Sequence, residues 1–173
     1  MQFQKSLLTA TLLAVGSLSV ANAAPITTDS FDVLLKVDSV CAIVTDATQD
    51  INLGNVAAGE AQMPAGGVTG TTTITTRCSK GATAKITLQP VSTISTDGTG
   101  NLLGGTSNAE KVAYKLTSVS KDGSAWGTAT PVTTAAAANY ATSIDTIVYA
   151  TVTSTADVTP GDYKDTVNVS VEF

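Results

Sequence analysis

Phe31-Asp32-Val33-Leu34-Leu35-Lys36-Val37 alternates along an extended chain. Phe31, Val33, Leu35 and Val37 fall on one face, Asp32 and Lys36 on the other, and only Leu34 breaks the pattern. How this segment pairs determines whether the domain is complete. As the first strand of its own domain it belongs to an ordinary sandwich, and the alternation alone favours that reading. As a detached strand it would be complementary to a sheet edge that must be buried.

Upstream, Lys5 precedes an apolar stretch containing Leu7, Leu8, Leu12, Leu13, Ala14 and Val15, and Ala21-Asn22-Ala23 ends it with small residues. That order is a secretory signal, with cleavage expected after Ala23. Thr9, Thr11 and Gly16 interrupt the apolar part, which is too short for a membrane-spanning helix. About 150 residues follow, enough for one domain with a proper core. Cys41 and Cys78 are the two cysteines, and in an exported chain a lone pair reads first as a disulfide. It would close a loop of about 37 residues, worth about 4 kcal/mol in the chain-entropy account.

Downstream, strand signals dominate. Val40 to Val44, Ile51 to Gly54, Val68 to Cys78, Ala82 to Gln89, Val112 to Val119, Ile144 to Val152 and Tyr163 to Phe173 are expected strands. The last carries Val167, Val169, Val171 and Phe173 on one face, with Asn168, Ser170 and Glu172 on the other. Gly59 to Gly70, Asp97 to Asn101, Gly104-Gly105, Lys121 to Ser124 and Thr159 to Asp162 are expected loops and turns. Ala135 to Ala138 lacks an amphipathic surround and is expected to be loop. Seven or eight strands without a helix indicate an all-β antiparallel sandwich with Greek-key connections.

The composition excludes most chemistry. The chain has 9 basic and 14 acidic residues, and losing Lys5 with the signal leaves a net charge of -6. A mildly acidic chain without a Lys/Arg cluster is a poor partner for nucleic acid or anionic lipid. There is no histidine, so the usual general base and the commonest metal ligand are missing. The glycine pairs lack the Gly-Lys-Ser/Thr ending of a phosphate loop. Asp97 with Asn101 offers too few oxygens for a calcium loop. Trp126 reads as a core plug or, less well, as part of a sugar site. No enzyme, cofactor or metal is expected.

The C-terminal segment Pro160-Gly161-Asp162-Tyr163-Lys164-Asp165-Thr166-Val167-Asn168-Val169-Ser170-Val171-Glu172-Phe173 resembles the ending of spore coat protein U domain proteins. These include the major pilins of archaic, Csu-type chaperone-usher pili. Asn52-Leu53-Gly54-Asn55-Val56 resembles an apolar-Phe-Gly-apolar element of that family, with Leu53 where an aromatic is common. Thr73 to Gly81 resembles the strand carrying the family's second cysteine.

The resemblance implies an incomplete immunoglobulin-like Greek-key sandwich completed by a donor strand. It implies a signal over 1–23, a donor segment over 24–38 and a pilin domain over 39–173. The donor positions would be Phe31, Val33, Leu35 and Val37, the disulfide Cys41 to Cys78, and the groove-flanking strand Val167, Val169, Val171 and Phe173. The partners implied are identical or homologous pilin subunits, a periplasmic chaperone and an outer-membrane usher. Export through the periplasm to a surface fimbrium, adhesion and biofilm formation follow from the same resemblance. A tip adhesin, a secreted binding module, or a spore or cyst coat protein of the same family are the competing roles.

Overall fold

The computed structural model describes residues 27–44, 50–58 and 67–173. The expected signal over 1–23 and most of the Gly59 to Gly70 loop lie outside the described residues. Val37–Phe173 form one compact unit, and the preceding residues belong to a second.

Eight strands follow one another among the described residues. They are β1 (Cys41–Ile43), β2 (Thr69–Cys78), β3 (Lys85–Pro90), β4 (Thr99–Gly104), β5 (Glu110–Ser118), β6 (Val132–Thr133), β7 (Ile144–Val152) and β8 (Val167–Glu172). The one helical piece among these residues is a 3-10 turn at Thr106–Asn108. All pairing is antiparallel, in a five-stranded sheet ordered β1-β2-β7-β5-β4 and a three-stranded sheet ordered β6-β3-β8. Consecutive strands change sheet at β2 to β3, β3 to β4, on either side of β6, and at β7 to β8, as Greek-key sandwiches require.

The core follows from period-two patterning. Ile74 and Cys78 of β2, Ile86 and Leu88 of β3, Tyr114 and Leu116 of β5, and Val148 and Ala150 of β7 point inward and are buried. Each large one contributes about 1.5–3 kcal/mol by leaving water. Trp126 is fully buried, and its Nε1–H donates to the Ile86 carbonyl at 2.9 Å. It is therefore the core plug and not part of a sugar site.

Three expectations are corrected. The glycine-rich stretch read as turns contains strand β4. Gly100 pairs across from Tyr114, and a Cβ there would come within 2.5–2.6 Å of the tyrosine ring. A Cβ on Gly104 would meet the Tyr163 ring at 2.6–2.7 Å. These glycines make room for aromatic rings instead of bending the chain. Second, Ile51 to Gly54 is not a strand. The Asn52 side-chain oxygen accepts the Gly54 N–H at 2.8 Å, and Gly54 has φ of 75°, so the chain turns there. Ile51 and Leu53 still pack on the core. Third, the last strand starts at Val167 and stops at Glu172. Tyr163 to Thr166 is taken up by side-chain contacts, and Phe173 lies beyond the strand.

Candidate strand-docking site

In an antiparallel ladder, residues alternate between pairs that exchange hydrogen bonds and pairs whose N–H and C=O groups turn away. At β8 the phase is fixed by the Val91 N–H, which donates to the Thr166 carbonyl at 2.8 Å. Asn168, Ser170 and Glu172 thus bond to β3, and the backbone groups of Val167, Val169 and Val171 turn to the outer edge. The Ile86 carbonyl, directed away from β8, accepts the Trp126 indole, which agrees with this phase. At β1 the Val44 N–H donates to the Thr75 carbonyl and the Ser79 N–H to the Val40 carbonyl, each at 2.8 Å. Cys41 and Ile43 therefore also present backbone groups outward.

β1 and β8 end their respective sheets, lie near each other, and among the described residues no strand pairs with either outer edge. The side chains beside this seam are apolar and only partly covered. Cys41 and Ile43 on one side, and Val167, Val169 and Val171 on the other, pack against the core yet remain half-buried. A seam with unpaired backbone and half-covered apolar side chains is chemically suited to an extended apolar strand.

The disulfide holds one wall. Cys41 and Cys78 are bonded, are partners in the β1–β2 register, and have Cα atoms 4.1 Å apart. That separation suits a non-hydrogen-bonded pair, where side chains approach most closely. β1 has only three residues, so the bond supplies much of what keeps it on β2.

Two carboxylates hold the approach to the other wall. Glu110 accepts the Thr159 N–H at 2.6 Å, the Thr159 hydroxyl at 2.7 Å and the Tyr163 hydroxyl at 2.5 Å. The Tyr163 and Thr159 hydroxyls and then the Thr159 N–H keep its carboxyl below the usual carboxylate range. Partial burial and then Glu110 push the Tyr163 phenol up to about 12. Asp165 accepts the Tyr114 hydroxyl at 2.8 Å, the Ser92 hydroxyl at 2.5 Å, and the Ser92 and Thr166 N–H groups at 3.1 and 2.7 Å. Burial, then Asp165, raises the Tyr114 phenol above its ordinary value. Periodicity could not single out these side chains, although Tyr163 and Asp165 fall inside the C-terminal segment that carries the resemblance.

The structure brings Val167, Val169 and Val171 to the seam and places Phe173 one residue past the strand, 62% exposed. Residues 27–36 form no strand or helix, and Phe31, Val33 and Leu35 are 88, 87 and 86% exposed. Val37 is likewise exposed.

Fold and edges together define an immunoglobulin-like antiparallel sandwich whose β1–β8 seam is unpaired among the described residues. The Spore Coat Protein U domain matches residues 27–170, and the chain belongs to that family. Among solved structures it is similar to a chain of the CsuC-CsuE chaperone-tip adhesion subunit pre-assembly complex, from archaic chaperone-usher Csu pili of Acinetobacter baumannii. The two are 22% identical with a TM-score of 0.53, over 79% of this chain and 40% of that one, which shows a shared fold. A chain from a chaperone-tip adhesin complex of CFA/I fimbriae biogenesis aligns at 12% identity and a TM-score of 0.35, over 75% of this chain and 42% of that one. This chain thus spans about two fifths of the solved chains it resembles. No curated protein matches it.

Proposed function

We propose that this chain is a structural subunit of a surface pilus, polymerised by donor-strand complementation. The observation that carries the reading is a complementarity. A six-residue strand edge stands open at β8, and a seven-residue segment of matching period-two apolarity stands exposed at Phe31 to Val37. A neighbour's segment would pair with Val167, Val169 and Val171 on one side and with Cys41 and Ile43 on the other. Its Phe31, Val33, Leu35 and Val37 would cover the half-buried face, and burying four such side chains contributes about 6–12 kcal/mol before ordering costs.

Each subunit accepts one strand and lends one, so the contact is heterologous and the assembly open-ended. An open seam aggregates if left bare, which is why a periplasmic chaperone would cover it before assembly. An outer-membrane usher would be the place where the chaperone is exchanged for the next subunit's strand. The domain boundaries are then 24–38 for the donor and 39–173 for the acceptor, and the product is a surface fimbrium serving adhesion and biofilm formation. The role is mechanical, with no catalytic residue assigned.

Deleting 24–38 and co-expressing the remainder with its chaperone tests this. The shortened subunit should still be recovered bound to chaperone and should form no fibres by electron microscopy. Fibres in normal number and length would refute the donor assignment.

A further inference from the structure

The sandwich has four sheet edges, and their chemistry differs. β6 is two residues long and follows Pro131, too short to template a strand. β1 and β8 flank the open seam. β4 has six residues, enough to receive a strand, but its outer edge is already occupied.

The phase at β4 is set by the Leu116 N–H, which donates to the Gly98 carbonyl at 2.9 Å. Gly100, Leu102 and Gly104 then bond to β5, and Thr99, Asn101 and Leu103 turn outward. Each of the three meets a fixed partner. The Thr93 hydroxyl donates to the Thr99 carbonyl at 2.9 Å. The Asn101 N–H donates to Ser92 Oγ at 2.8 Å. The Leu103 N–H donates to the Lys164 carbonyl at 2.9 Å, and the Lys164 N–H returns the bond at 3.1 Å.

Asp165 fixes the middle contact. The Ser92 hydroxyl has one proton, and Asp165 takes it at 2.5 Å. The serine oxygen is thereby left as an acceptor, aimed at the Asn101 N–H. Asp165 is in turn held by the hydroxyl of buried Tyr114.

We infer that Ser92, held by Asp165, and Thr93 are specificity determinants that bar an incoming strand from β4 and direct it to the β1–β8 seam. The inference rests on the donor-strand reading. A strand arriving at β4 would have to displace bonds already made, a near-neutral exchange. At β8 the same strand satisfies groups that have no strand partner among the described residues. Asp165 lies two residues before Val167, so the carboxylate that holds the middle contact of the β4 edge also bonds the Thr166 N–H at the start of β8.

The test uses the mature chain, wild type and Ser92→Ala/Thr93→Val, with an excess of a fluorescein-labelled peptide of residues 27–38. Native mass spectrometry counts bound peptides, and amide hydrogen exchange reads Asn101. Wild type should bind one peptide per subunit. The double variant should bind a second, and in the absence of peptide its Asn101 should exchange about tenfold faster than in wild type, the equivalent of one net hydrogen bond. Ser92→Ala alone keeps the Ser92 N–H on Asp165 and serves if the double variant does not fold. A folded variant that still binds one peptide and keeps Asn101 slow overturns the inference and leaves the donor-strand reading standing. Wild type binding no peptide overturns both.

Discussion

Leu34 and Leu35 form an experiment with its own control. They are adjacent, chemically identical, and 88 and 86% exposed in the subunit. Only parity separates them. On a docked strand Leu35 joins Phe31, Val33 and Val37 against the acceptor core, and Leu34 faces the other way. Truncating a well-buried leucine to alanine costs about 2–5 kcal/mol. The seam side chains stay half-buried, so the lower part of that range applies, about 2–3 kcal/mol. At about 1.4 kcal/mol per factor of ten, Leu35→Ala should speed peptide dissociation about 30- to 150-fold. Leu34→Ala should change it about twofold or less, as surface substitutions do. The assay is displacement of a labelled peptide of residues 27–38 from the mature chain, followed by fluorescence anisotropy, with each variant carried in the peptide. Equal losses from both substitutions would refute the face assignment. No loss from either would refute the docking of this segment.

Other expectations concern the acceptor itself. Trp126→Phe removes the indole donor from the buried Ile86 carbonyl, which keeps its pairing with β6, and opens a small cavity, so the urea midpoint should fall by an amount worth about 1–3 kcal/mol, with an unchanged slope. Reducing the Cys41–Cys78 bond, with its 37-residue separation, should cost about 4 kcal/mol by calorimetric or denaturant unfolding. Asp97 is held down to about 2, against an ordinary 3.8, first by the Ser95 hydroxyl and then by Thr99. A carboxyl lowered by folding supports the fold above its unfolded value, and that support fades as pH falls from about 4 through about 2. NMR titration of the Asp97 carboxyl carbon should show a midpoint near 2, and Asp97→Asn should flatten the acid limb of stability in that window.

Much of the fold was legible in the alternation of single strands. Ile144–Val152 is the strand its valines and isoleucines announce, and Val167 to Glu172 keeps its valines on one face. β4 was hidden because Gly100 and Gly104 look like turn residues, and their purpose shows only once Tyr114 and Tyr163 lie over them. Ile51 to Gly54 misled in the opposite direction, since Asn52 competes for the backbone that a strand would need. The candidate site was half legible. Phe31, Val33, Leu35 and Val37 alternate as a strand does, yet they form none in the subunit itself, and periodicity cannot say whose sheet such a segment joins. The open edge depends on the phase of hydrogen bonding at β1 and β8, a tertiary property. Asp165 and Ser92 are 73 residues apart and meet only in the folded chain.

The central claim is that a strand fills the β1–β8 seam when subunits assemble. Residue-resolved amide hydrogen exchange, comparing assembled fibres with the unassembled subunit, tests it most directly. The account predicts that Val167, Val169, Val171, Cys41 and Ile43 gain strong protection on assembly, with Asn101 and Leu103 of β4 little changed. Protection appearing at β4, or none appearing along β8, would contradict it.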